Sequence, residues 1–243
     1  MNIPLAKSLE TLLEPIATEM GQDIVALYRL PKTLAINFYH KLIDKNVTTE
    51  KIVHAISQSP TTTTKILKIC DNIKTQADDY VQQLFAEIMA SEIMEEGSYS
   101  LETIHRLSLM TRKELEYFYE NIAPFCFAGN GFFQLASAVS ENALISDLDV
   151  AKYGLVRPLK EFDSGDEKWY LTDFSNGDKF LIQGKNVSKM NLKMAVLTRF
   201  GQDLCKLGVA ENKIRKWTPE DKQEILRVCK ECGIEEIDVK FDV

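Results

Sequence analysis

The sequence predicts a mainly α protein with a small antiparallel β-sheet, an α+β class in which a helical N-terminal half precedes a winged-helix-like C-terminal half. Apolar residues recur at helical spacing through the first half of the chain, and strand patterning appears only late, around Asn176-Gly177. Capping signals punctuate the helices at regular intervals. Two domains are expected, residues 1–124 and 125–243, with the change of character falling after Pro124.

The first helix is expected from Leu5 to Met20, where Leu5, Leu9, Leu12, Leu13, Ile16 and Met20 form one stripe. Its polar side is acidic, which favours packing against protein over a membrane surface. Pairing of two such stripes predicts a homodimer, or a complex with a protein partner. A second helix spans roughly Leu34 to Asp44 and ends before Asn46, and Thr48 or Thr49 caps a third from Glu50 to Ser57. Ser59-Pro60 breaks it. The run Thr61 to Thr64 then starts the longest periodic segment, which carries Ile66, Ile69, Ile73, Ala77, Val81, Leu84, Phe85, Ile88, Met89 and Ile93 on one broad stripe.

Gly97-Ser98-Tyr99-Ser100 is the next break, with Gly97 easing the end of one helix and serine capping another that carries Leu101, Ile104, Leu107 and Leu109. Thr111-Arg-Lys-Glu114 reads as a capping box opening the helix Leu115 to Ile122. After the loop Gly129-Asn-Gly131, Phe132 to Val139 and Leu144 to Tyr153 read as a short helix pair. Trp169 to Phe174 and Lys179 to Ile182 flank the tight-turn dipeptide, and Leu192 to Leu197 supplies a third strand. Thr198 caps a helix running toward Gly208, and Thr218-Pro219-Glu220-Asp221 opens the last helix. Ile237, Val239 and Phe241 alternate with polar residues as a closing strand.

Composition sets limits on function. The 243 residues carry 36 acidic and 29 basic side chains, a net charge of -7, so no overall positive field gathers nucleic acid or anionic lipid. No apolar run is long enough to span a bilayer, and the first twenty residues are too charged for a signal peptide, so the expected location is cytoplasmic. Five cysteines suit buried, reduced thiols, and the Cys229/Cys232 pair lacks the further ligands a zinc site needs. His40, His54 and His105 sit in separate helices beside apolar residues and read as core-margin histidines. There is no nucleophile elbow and no glycine-rich phosphate loop. Hence no catalytic residue, metal or cofactor is expected.

Two clusters remain. Glu92, Glu95 and Glu96 beside the serine turn can hold a cation, as a metal-dependent nuclease would, or Glu92 can accept N–H bonds from the loop. The loop reading is preferred, which makes Glu92, Gly97, Ser98, Tyr99 and Ser100 a structural motif. Lys213, Arg215, Lys216 and Trp217 form a basic and aromatic patch able to stack on and neutralise a nucleic-acid strand. An exposed linker explains it better, and the recognition-helix stretch Ser140 to Lys152 is acidic, so a DNA-binding regulator is the second choice. Asp163-Ser-Gly-Asp166-Glu167 lacks the ligand spacing of a calcium loop and reads as a solvated turn.

The segment from Leu84 through Glu92, Gly97-Ser-Tyr-Ser100, Thr103, Leu107 and Thr111 to Phe118 resembles the signature of an uncharacterised bacterial domain-of-unknown-function family. Glu96 stands where that family usually has Pro, and Phe85 where it usually has Trp. The later pattern Leu148…Gly154-Leu-Val156, Tyr170-Leu-Thr and Leu197-Thr-Arg-Phe-Gly201 is similar to the related abortive-infection alpha proteins. What the resemblance implies is a non-catalytic role in bacterial defence against phage, as a sensor or scaffold acting through protein binding, with no catalytic residues to carry over.

Overall fold

The computed structural model describes residues 31–73, 78–128, 132–135, 152–156, 168–173, 179–183 and 194–231. The N-terminal helix Leu5 to Met20, the Asp163 turn, Asn176-Gly177, Cys232 and the closing strand lie outside the described residues, as does the acidic stretch before Lys152. The chain divides into two compact units, Met1–Arg112 and Lys113–Val243.

Unit 1 is built from five described helices: α1 (Lys32–Asp44), α2 (Thr49–Gln58), α3 (Pro60–Ile73), α4 (Asp79–Met94) and α5 (Leu101–Ser108). The boundaries follow from local chemistry. Asn46 adopts a left-handed conformation (φ 53°), and the Val47 N–H returns to the Leu42 carbonyl, which closes α1. Thr48 accepts the Lys51 N–H to start α2. Ser59 ends α2 and also accepts the Thr62 N–H at 3.0 Å, so with Pro60 as first helical residue it opens α3. The long periodic segment is therefore two helices, and Asp78 caps the second by accepting the Tyr80 N–H.

Helix α4 is the axis of unit 1. It buries Val81, Leu84, Phe85, Ala86, Ile88, Met89, Ala90 and Ile93, residues on every side of the helix, and packs against α1, α2, α3 and α5. The single stripe read from the sequence becomes a helix enclosed all round. Glu87 and Glu92 are buried with it, and Glu87 is met at the edge by Lys45 (2.8 Å), Lys41 (3.7 Å) and the Ser91 hydroxyl (2.8 Å). His40, His54 and His105 are all exposed, not core-margin residues as the sequence suggested, because each sits on the helix side turned away from α4 or its neighbours.

Unit 2 continues with α6 (Arg112–Tyr117), a π-helical turn (Phe118–Ile122) and a short 3-10 turn (Ala123–Phe125). Strands β1 (Cys126–Ala128), β2 (Phe132–Leu135), β3 (Leu155–Val156), β4 (Lys168–Asp173), β5 (Lys179–Gln183) and β6 (Met194–Leu197) come next, then α7 (Arg199–Ala210) and α8 (Pro219–Glu231). The backbone pairs the strands antiparallel in the order β3-β6-β2-β1-β4-β5, with Ala128 opposite Phe132 and Phe133 opposite Val196.

This corrects the expected fold class. The packed framework of the described residues is helical, and the winged-helix-like arrangement expected of the C-terminal half is not what forms. Phe132 to Leu135, read as the start of a helix, is a strand, because adjacent aromatics beside Gly129-Asn-Gly131 favour pairing over a helical turn. A winged helix sets its helix pair before one short hairpin and a third strand; here the strand order interleaves segments from both sides of that position. Helix α7 also runs past Gly208 to Ala210, since Gly208 serves contact and not termination: a Cβ there would lie 2.5 Å from Tyr119 Cε1.

Candidate functional site

In unit 1 the chemistry gathers where α4 turns into α5. Glu92 lies on the last buried turn of α4, and its carboxylate is wholly enclosed. Lys65, from the middle of α3, brings its Nζ to 2.9 Å from both Glu92 oxygens. The chain beyond α4 then folds back over the same group, with the Gly97 N–H donating to Oε2 at 3.1 Å and the Tyr99 N–H to Oε1 at 2.7 Å. Gly97 makes the return possible through its φ of +86°, a value open to glycine at little cost. One carboxylate thus carries a buried cation and two loop amides, and charge-assisted bonds of this kind are the stronger class.

The serines close the rest of the loop. Ser98 donates from Oγ to the Glu95 carbonyl at 2.6 Å and to the Ser91 carbonyl at 3.2 Å, so it satisfies the end of α4. Ser100 accepts the Thr103 N–H at 3.0 Å and starts α5. Tyr99 is buried between them. Ser100→Ala is expected to lower stability by about 1 kcal/mol, the usual worth of a helix cap, and urea denaturation of the two proteins checks it.

Glu95 and Glu96 are exposed while Glu92 is buried. Among the described residues, no three His, Cys, Asp or Glu side chains are grouped to hold a metal ion. The role of Lys65 escaped the sequence reading. A signal was present in retrospect, since Lys65 occupies the buried face of α3 with Thr62, Ile66 and Ile69, and a buried cation calls for a buried anion.

In unit 2 the basic patch is largely occupied by its own chain. Arg215 Nη1 and Nη2 grip Asp221 at 2.5 and 3.1 Å, Nη1 also donates to the Lys216 carbonyl, and Nε donates to the Glu120 carbonyl at 3.1 Å. Trp217 donates its indole N–H to the Pro124 carbonyl. The Lys213 amide closes α7 by donating to the Gly208 carbonyl, and Lys216 is exposed. The four residues are thus brought onto one segment, but two of the polar groups that would meet a ligand already have internal partners.

Asp221 also accepts the Thr218 N–H at 2.7 Å, while Thr218 Oγ1 accepts the Asp221 N–H, a reciprocal cap on α8. Burial pushes the Asp221 carboxyl up, but hydrogen bonds from Arg215 and Thr218 and the nearby guanidinium charge outweigh it and leave it below its ordinary value. The hydrogen bond to Asp221 in turn raises the Arg215 guanidinium, against the effect of burial. A carboxylate lowered on folding contributes stability above the unfolded value, which is lost as pH falls below about 4. Asp221→Asn is therefore expected to destabilise unit 2 at pH 7 and to make progressively less difference toward pH 3; an equal loss at both values would contradict the assignment.

Residues 47–148 match a family described as a protein of unknown function (DUF2806), a span that contains the whole Glu92 loop and its Lys65 partner. The match also takes in the motif from Leu84 to Phe118, and it ends before the Gly154 and Gly201 pattern. Neither the curated proteins nor the solved structures offer a match. Among the described residues, no helix is long and apolar enough to cross a membrane.

Proposed function

We propose that the protein is a non-catalytic sensor or scaffold of bacterial defence, acting in the cytoplasm through protein–protein binding with a partner or a second copy of itself. The observation that carries the binding reading is the outer face of α5. Leu101 is 44% and Leu109 71% exposed, and with exposed His105 between them they follow the i, i+4, i+8 spacing of one helix face. Exposed apolar residues aligned in this way suit the centre of a protein contact. The internal use of Glu92, Arg215 and Trp217 supports the same reading, since the groups best suited to chemistry or nucleic-acid contact are bonded within the chain. The defence reading rests on the resemblance to abortive-infection alpha proteins carried by Gly154-Leu-Val156 and Leu197-Thr-Arg-Phe-Gly201.

The test is phage infection of cells with and without the gene, joined to pull-down from the infected cells. Leu101→Glu with Leu109→Glu should abolish both protection and capture while leaving the circular dichroism spectrum intact. Equal phage yield with and without the gene would end the defence reading. Protection and capture that survive the double substitution would remove α5 as the contact.

A further inference from the structure

We infer that residues Lys213 to Thr218 form a releasable clasp: the segment is pinned at Ile214, fastened by Arg215 and Trp217, and opens together with the start of α8 while α7 and the π-helical turn stay folded. The pin is apolar. Ile214 is buried against Gly208 and Tyr119, so closely that a Cβ on Gly208 would lie 2.7 Å from Ile214 Cγ1. Beyond Ile214, Arg215, Trp217 and Thr218 each add polar bonds.

The fastening uses the π-helical turn, whose wide winding shifts carbonyls away from their usual α-helical donors. Two of them receive Arg215: the Tyr119 carbonyl takes its backbone N–H at 3.2 Å, and the Glu120 carbonyl takes Nε at 3.1 Å. The other edge of the guanidinium holds Asp221, and Asp221 holds the Thr218 N–H at the start of α8. Trp217 adds its bond to the Pro124 carbonyl. Arg215 therefore joins the π-helical turn to the first turn of α8 through a single planar group.

Such a fastening is cheap to exchange. The Arg215 side chain is 35% exposed, Lys216 and Glu220 are exposed, and polar bonds this near water are readily replaced by bonds to solvent. Opening changes what the surface presents. In the closed form the guanidinium and indole N–H are engaged by Asp221 and the Pro124 carbonyl; the open form releases both from these partners.

Hydrogen–deuterium exchange of the full chain, read by mass spectrometry, tests the clasp. R215Q should speed exchange across residues 216–224 by about tenfold or more, the signature of a local opening made easier, with peptides from α4 and α7 unchanged. Unchanged exchange in 216–224, or an equal rise across α7 and 216–224, overturns the inference, because the segment then opens only with the unit as a whole. If R215Q does not fold, W217F, which keeps an aromatic ring and removes the indole N–H, must give the same local pattern; a uniform pattern in W217F overturns it equally.

Discussion

Glu92→Ala lowers the stability of unit 1 by about 3–5 kcal/mol, the cost of removing one partner from a buried ion pair. Lys65 is left with its ammonium enclosed and no counter-charge, since its Nζ sits 2.9 Å from both oxygens that the substitution deletes. The Gly97 and Tyr99 amides lose the Glu92 carboxylate in the same step, and Tyr99 is the buried one of the two. Glu92→Gln is milder because an amide oxygen can still take one loop N–H. It is not the small effect that the loop alone would suggest, for a neutral amide does not balance Lys65. Pairing Glu92→Gln with Lys65→Met then recovers part of the loss, as removal of both charges from a buried pair often costs less than removal of one. Urea denaturation of the single and double variants gives the coupling directly. A Glu92→Ala protein within about 1 kcal/mol of the parent, well under the cost of a broken buried pair, would show that the pair does not hold the loop.

What the sequence made legible was local. Thr48, Ser100, Thr198 and Thr218 each accept or exchange an N–H bond three residues on, so the cap and the group it satisfies lie within one turn. The Gly97 break and the apolar character of α4 belong to the same class. The Lys65–Glu92 bond spans 27 residues, and no periodicity connects its ends. Enclosure of α4 on all sides was hidden for a related reason: helical spacing reveals that a face is apolar but not how many neighbours arrive to cover it. The division of the long segment into α3 and α4 turned on Asp78, a single capping acid in a stretch whose apolar phase continues past it.

In unit 2 the misreadings arise from pairing and from use. Phe132 and Phe133 sit in a run too short to separate helix from strand by period, and their partners, such as Val196 opposite Phe133, come from far along the chain. The basic patch was legible as a cluster of charge, but charge counted along a sequence does not say whether it is spent. Asp221, six residues from Arg215, takes the guanidinium that the pattern offered to a ligand. The π-helical turn had no signature in the sequence, because the same residues suit an α-helix and only the wider i→i+5 backbone bonding of the folded chain distinguishes the two.

Gly154→Ala is expected to destabilise unit 2 by about 2–4 kcal/mol, from left-handed backbone strain and overpacking together. Gly154 has a φ of +70°, so any side chain there starts from a disfavoured conformation. Space is the second obstacle: a Cβ would lie 2.5 Å from Thr198 Oγ1, 2.7 Å from the Gly201 amide nitrogen and 3.0 Å from Phe200 Cδ1. The threonine hydroxyl can swing aside, but the Gly201 nitrogen is backbone in the first turn of α7 and cannot. The contact is also where α7 begins. The Gly154 carbonyl accepts both the Thr198 N–H at 2.8 Å and its hydroxyl at 2.9 Å, and Thr198 caps the helix by accepting the Gly201 N–H. Pushing the turn away therefore pulls on the cap. Gly201→Ala meets the same crossing from the other side, 2.8 Å from the Gly154 carbonyl oxygen, but without a positive φ to overcome, so its loss should be the smaller of the two. Adding Thr198→Ala to Gly154→Ala should recover little, since it clears the hydroxyl but sacrifices the cap and leaves the Gly201 nitrogen in place. Thermal and urea unfolding of the three variants decide the matter: a Gly154→Ala protein as stable as Gly201→Ala would mean that the backbone at this turn carries no strain and that the crossing yields more easily than its distances imply.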